Sequence, residues 1–327
     1  MNLDMMNCFF SKAYENRGEL FEGLSIWEEE KYRKLQGSYP VIFLSFANIK
    51  GATIGETKQG IRYALEKLYG VHRYVRDGKE MTERDRLFFD SVTSDMTDDV
   101  AVLALHYLSD YMSRYYGRKV LIFLDEYDTP LQEAYVNGYW EELVQFIRSM
   151  FNSTFKTNPY MERSIMTGIT RVSKESIFSD LNNLTVITTT SEKYRTQFGF
   201  REDEVFDALD YFGMPERKEE VKKWYDGFIF GSQRDVYNPW SIINFLEEKE
   251  YKPYWANSSA NSLVGLLIRQ GNAETKMIVE NLLKGGCLET EIDEEIPFGY
   301  TLMRKNMRGK EEIIFDQLQK KKGAVWS

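Results

Sequence analysis

Val120-Leu121-Ile122-Phe123-Leu124-Asp125-Glu126 is the stretch on which the reading of this chain turns. Its five consecutive apolar residues are too few for a helix and suit a strand buried on both faces, as in a parallel sheet. Upstream, Val41-Ile42-Phe43-Leu44 follows Pro40 and reads as a second buried strand. Between the two, helical periodicity from Thr53 to Leu68 puts Ile61, Ala64, Leu65 and Leu68 on one face. A second helix from Asp99 to Tyr116 does the same with Val102, Leu105, Leu108 and Met112. Downstream, Trp140 to Phe155 is helical, and Ser164–Gly168 and Leu184–Thr188 are candidate strands. Strands alternating with helices predict an α/β fold with a mostly parallel sheet.

From Arg201 the pattern changes to helices alone: Glu204 to Tyr211, Glu216 to Trp224 and Ser241 to Glu250. A subdomain boundary is therefore expected near residue 200. Asp226-Gly227 reads as a turn after a helix. Beyond Pro297 the periodicity is lost, and no internal repeat or low-complexity stretch is present.

Composition excludes several classes. The 327 residues are 43% hydrophobic and 28% charged, which is ordinary for a globular protein and enough for a substantial core. A net charge of −9 argues against a broad nucleic-acid-binding face, which needs clustered Lys and Arg. The one basic run, Lys320-Lys321-Lys322, reads as a solvated terminus. Two cysteines, Cys8 and Cys287, and two histidines, His72 and His106, give neither zinc spacing nor a disulfide framework. Sparse cysteines, the absence of a signal-peptide pattern and the lack of a long apolar run predict a cytoplasmic protein with no membrane span.

The central strand ends in an acidic pair. That is the form of the Walker B motif of P-loop ATPases, where the first carboxylate serves Mg²⁺ at the sheet's carboxyl edge. The second carboxylate orients or deprotonates the attacking water. The plainer alternative is a buried strand whose two terminal acids are simply solvated. Thr167-Gly168-Ile169-Thr170-Arg171 ends the next candidate strand, where an arginine can stabilise γ-phosphate charge. Its alternative is an arginine capping a strand-to-helix turn. A phosphate-gripping G-x-x-x-x-G-K-[ST] loop is not found. Gly55-Glu56-Thr57-Lys58-Gln59-Gly60 comes nearest, but Ile61-Arg62 follows it and it does not read as following a strand. Glu289, Glu291, Asp293, Glu294 and Glu295 read as a solvated acidic loop rather than a metal site.

Taken together, these motifs resemble the bacterial AAA-ATPase-like proteins, which often carry a C-terminal PD-(D/E)XK nuclease domain. The resemblance rests on Glu19-Leu20-Phe21-Glu22-Gly23-Leu24, Tyr39 to Phe46, Leu124-Asp125-Glu126-Tyr127-Asp128-Thr129-Pro130-Leu131 and Thr167 to Asn183. Trp224-Tyr225-Asp226-Gly227-Phe228 and Tyr237-Asn238-Pro239-Trp240-Ser241 extend it to about residue 290. It implies a five-stranded parallel ATPase core over 1–200, an all-helical lid over 201–296 and a non-matching tail over 297–327. It assigns Asp125 to Mg²⁺ through water, Glu126 to water activation and Arg171 to γ-phosphate sensing. Asp128 and Thr170 join Asp125 as nucleotide-binding residues, and ATP with Mg²⁺ is the implied cofactor.

Against the family pattern, the first strand and the P-loop have no counterpart, and the nuclease motifs are absent. The sequence therefore reads as a truncated form whose ATPase activity is impaired. The first strand is expected in the sheet interior, between the strand ending at Thr170 and that near Thr188. Losing about five buried side chains forfeits on the order of 10 kcal/mol, so a marginal or poorly soluble chain is expected. The rival reading is a non-catalytic protein acting through self-association or a partner protein.

Overall fold

In the computed structural model, the described residues are 2–168, 184–254, 268, 271–284, 304–305 and 311–312. The chain divides into two compact units, Met1–Asn183 and Leu184–Ser327. The sequence placed its boundary near residue 200.

The first unit is built on a parallel three-stranded sheet in the order β1-β2-β3. β1 is Val41–Ser45, β2 Val120–Asp125 and β3 Met161–Met166. In register, Leu44 lies opposite Leu124 and Ser45 opposite Asp125, while Leu124 lies opposite Met166. β2 is central, and its apolar run is buried throughout, as expected of a strand covered on both faces. Alternation sorts the side chains between those faces. Val41, Leu121 and Phe123 pack with Leu3 of helix α1 (Asn2–Phe10), joined by Met6, Phe10, Phe43 and Ile165. Ile42, Ile122 and Leu124 lie on the other side, each buried to 1% exposure or less.

Two short helices, α2 (Ser25–Glu28) and α3 (Glu30–Arg33), precede β1. The β1-to-β2 crossover holds α4 (Ile54–Val71), α5 (Arg73–Arg76), α6 (Glu83–Ser91) and α7 (Asp98–Tyr116). The starts of α4, α6 and α7 are written in the sequence as caps. Thr53 accepts from the Glu56 amide, Thr97 from that of Val100, and Thr82 forms a capping box with Asp85. α7 buries Ala101, Ala104, Leu105, Leu108 and Met112 along one stripe. The β2-to-β3 crossover holds α8 (Thr129–Asn137) and α9 (Trp140–Phe155), and α7 packs on α9.

The second unit has its own core: Val205, Leu209, Val221, Tyr225, Tyr237, Ile242 and Phe245. It holds α10 (Glu202–Tyr211), α11 (Lys218–Tyr225) and α12 (Pro239–Glu248). The expectation of helices alone is corrected here. Strands β4 (Phe200–Arg201), β5 (Phe228–Phe230) and β6 (Gln233–Tyr237) form an antiparallel sheet in the order β4-β6-β5. Asp226-Gly227 does end a helix, but the turn opens a hairpin.

One expectation for the parallel sheet also changes. Leu184–Thr188 is not a strand, although its β-branched residues favour one, because propensity without a pairing neighbour is weak. Among the described residues the parallel sheet has three strands, and the outer edge of β3 pairs with none. Glu162 and Arg163 on β3 are accordingly exposed.

Candidate functional site

The carboxyl ends of three parallel strands meet at one edge, where open α/β sheets present their functional groups. β2 carries Asp125 there, half-buried, with its carbonyl accepting from the Phe46 amide at 2.9 Å. The chain past β3 follows the same ladder. Thr167 donates its amide to the Leu124 carbonyl at 2.9 Å, and its own carbonyl accepts from the Tyr127 amide at 3.0 Å. This register sets the Thr167 hydroxyl beside Asp125, and it donates to Asp125 Oδ1 at 2.6 Å. A hydrogen bond to a carboxylate is stronger than one between neutral groups and fixes the acid's orientation.

Glu126 follows at φ +49°, in the left-handed region that non-glycine residues seldom occupy. The reversal leaves its side chain exposed and turns the chain into α8. Thr129 Oγ1 donates to Glu126 Oε2 at 3.1 Å, which tethers the acid near the helix start. Asp128 goes the other way: it is 1% exposed, and Gln132 Nε2 donates to its Oδ2 at 3.0 Å. Gly168 closes over this acid. A Cβ there would lie 2.6 Å from Asp128 Oδ1 and 2.9 Å from Tyr127 Cε1, so only glycine fits without displacement.

The connection after β1 is pinned at the same edge. The Tyr139 hydroxyl donates to the Gly51 carbonyl at 2.6 Å and lies 2.9 Å from Thr57 Oγ1. Gly55 to Gly60, the string nearest a phosphate loop, lies inside α4. Strand β1 does precede it, a correction to the sequence reading, but the string is helix rather than loop. The Glu56 amide is already bound by Thr53 Oγ1 and the Thr57 amide by the Thr53 carbonyl, so neither is open to a phosphate.

The structure thus gathers Asp125, Glu126 and Asp128 with Thr167 and Gly168. Thr170 and Arg171 lie outside the described residues, as do Glu289 to Glu295, Cys287 and Lys320 to Lys322. Sequence reasoning missed the role of Thr167, although the residue lies in a quoted motif. The signal was there: once Met166 pairs with Leu124, the next residue must reach Asp125. His72 also has a partner that the sequence did not reveal. It is buried, its Nδ1 lies 3.2 Å from the Tyr74 hydroxyl, and burial pushes its pKa down to about 4.

The family described as a predicted AAA-ATPase matches residues 1–178, more than half of the chain. The chain belongs to the AAA-ATPase-like family. The matched span takes in all three strands of the parallel sheet of this AAA-ATPase-like chain and every residue of the strand-end site. A relative, "Uncharacterized protein in vnfD 5'region" of Azotobacter chroococcum mcd 1, is 27% identical over 161 residues. That alignment takes in 49% of this chain and 31% of the relative, so under a third of the relative's length is spanned. No solved structure matches the chain. Among the described residues, no helix is long and apolar enough to cross a membrane.

Proposed function

We propose that the first unit carries the metal and water-activating half of an ATP-hydrolysing site. The observation that carries this reading is the Asp125 carboxylate at the end of the central strand, oriented by Thr167 at 2.6 Å and followed directly by Glu126. Carboxylate and hydroxyl oxygens are the hard donors that suit Mg²⁺, and few protein ligands suffice because this ion keeps most of its waters. Asp125 would hold the metal through water, and Thr167 keeps the carboxylate in one orientation. Glu126 is exposed and carries the base that would take a proton from an attacking water. Bound Mg²⁺ would neutralise charge on the phosphates, and ATP is the substrate that the family membership supports. Asp128 supports the turn from beneath, while Thr170 and Arg171 keep their proposed roles at the nucleotide.

The phosphate grip is the weak part of the site. The sequence has no G-x-x-x-x-G-K-[ST], and the nearest string is spent on a helix. Without that cradle and its lysine, binding by this chain alone is expected in the millimolar range, roughly −4 kcal/mol. ATPase activity, any nuclease fusion and any larger assembly belong to the same proposal.

Calorimetric titration of the chain and of Asp125→Ala with Mg²⁺ and ATP tests the reading. Weak binding lost in the variant is expected. Binding that Asp125→Ala leaves intact would remove Asp125 from the site. Micromolar binding would reveal a phosphate grip elsewhere in the chain.

A further inference from the structure

The second unit holds a cluster of ionisable groups that the strand-end site does not use. Glu202 begins α10, Asp226 follows the last residue of α11, and Asp235 lies in β6. One carboxylate oxygen from each lies within 4.8 Å of the others. The register of the hairpin explains how Asp235 arrives. Phe228 pairs with Val236 and Phe230 with Gln233, so Ile229 alone stands opposite Arg234 and Asp235. That is a β-bulge, a device that re-aims a side chain. Asp235 takes φ +55° in it, a strained conformation that Asp and Asn tolerate best among non-glycine residues. A strained bulge that brings a third acid to two others is unfavourable unless their repulsion is relieved.

The groups facing Asp226 are few. Lys222, one turn earlier on α11, pairs with Glu202 and lies 3.5 Å from Asp235. The Tyr237 hydroxyl, from β6, donates to Glu202 Oε2 at 3.2 Å. Among the described residues the titratable ones are Glu202 on α10, Lys222 on α11, and Asp235 and Tyr237 on β6; the Gly227 amide also bonds the Asp226 carboxyl and, with Lys222, pulls it down. One cation therefore serves three carboxylates. Asp226 Oδ1 is buried with no donor, and its neighbour is the Asp235 carboxylate, which can only accept while ionised. A proton between the two supplies the missing donor. Since Lys222 already pairs with two of the acids, the cluster is not read as a cation site.

We propose that Asp226 and Asp235 share one proton, which ties the start of the β5–β6 hairpin to its bulge and makes the hairpin tighten on mild acidification. Burial, then the hydrogen bond with Asp235 and its charge, push the Asp226 carboxyl up to about 6. Lys222 is held above its usual range by Glu202, and burial raises Tyr237, so both keep their protons through this window. The folded state binds an extra proton between the ordinary carboxyl range near pH 4 and about pH 6. Stability of the hairpin therefore rises as pH falls from above 6 to about 4 and is lowest above 6.

Hydrogen exchange of residues 226–237 in the full chain, at pH 5 and 7.5 and corrected for intrinsic rates, reads this directly. With a folded value of about 6 and an ordinary value near 4, linkage caps the gain in protection at pH 5 at about tenfold, and solvent screening lowers it to roughly three- to tenfold. Asp235→Asn keeps a residue suited to positive φ and offers Asp226 a permanent amide donor. High protection at both pH values is expected in that variant. Asp226→Asn places the donor on the other side and is expected to abolish the pH dependence equally. Equal protection of the wild type at both pH values would overturn the proposal. So would a full pH dependence surviving in either variant.

Discussion

Thr167→Val removes one hydroxyl from the strand-end site while keeping nearly the same volume. The hydroxyl donates to Asp125 Oδ1 at 2.6 Å. Hydrogen bonds to charged groups contribute about 1.5–3 kcal/mol, and water at half-buried Asp125 recovers part of that, leaving about 1–2 kcal/mol lost. The readout must report the first unit alone, because two units need not unfold together. Amide exchange at Ile122, Phe123 and Leu124 does so, since β2 is bonded on both sides by β1 and β3. A loss of 1–2 kcal/mol speeds exchange through global opening by roughly 5- to 30-fold. In an Asp125→Asn background the same substitution should cost less than half as much, because its charged partner is gone. A change under about twofold, or an equal cost in both backgrounds, would refute the pairing as the source of the effect.

Gly168→Ala drives a Cβ to 2.6 Å from Asp128 Oδ1, and Asp128 is held in place by Gln132. A cost of about 1–3 kcal/mol, read by the same β2 exchange, is expected from overpacking. Leu124→Ala opens a cavity in the central strand, where Leu124 is 1% exposed, and should cost about 2–5 kcal/mol, enough to unfold a marginal first unit. Its far-UV dichroism and β2 exchange should both report that loss. His72, pushed down to about 4 by burial, takes a proton more readily when the chain is unfolded. Its contribution is therefore intact above about pH 6.5 and lost as pH falls towards 4, reaching about 2 kcal/mol at pH 5. Exchange in α4 at pH 7 and 5 should show that decline in the wild type and a smaller one in His72→Gln. This trend opposes the acid-tightened hairpin of the second unit.

The parallel sheet is legible in the sequence where side-chain chemistry is extreme. An unbroken apolar run admits little except a doubly covered strand, and β2 is that strand. Trp140–Phe155 is a helix over the residues its periodicity marks, because its buried stripe recurs at helical spacing through four turns. The antiparallel hairpin is nearly illegible for the opposite reason. β5 has only three residues, and β6 begins Gln233-Arg234-Asp235, polar and bulged, so no period of two emerges. Gly231, at φ +54° between the strands, is its clearest local sign. Leu184–Thr188 misleads because β-branched residues describe what a pleated surface accepts, without providing the neighbour that must pair.

The strand-end site divides along the same line. Asp125 and Glu126 stand out because acids directly after a buried run are conspicuous. Thr167 does not, since its role depends on register between two strands separated by α8 and α9. Gly168 likewise shows its purpose only when Asp128 lies beneath it. Local chemistry is written in the chain, whereas partners across a sheet follow from pairing.

The most direct test replaces Mg²⁺ with paramagnetic Mn²⁺, in the presence of ATP, and reads line broadening in the NMR spectrum of the isotopically labelled chain. Broadening is expected to centre on Asp125 and Thr167, to reach Ser45 and Glu126, and to vanish in Asp125→Ala. Broadening centred elsewhere, or unchanged by that substitution, would contradict the assignment of this sheet edge as the metal end of a nucleotide site.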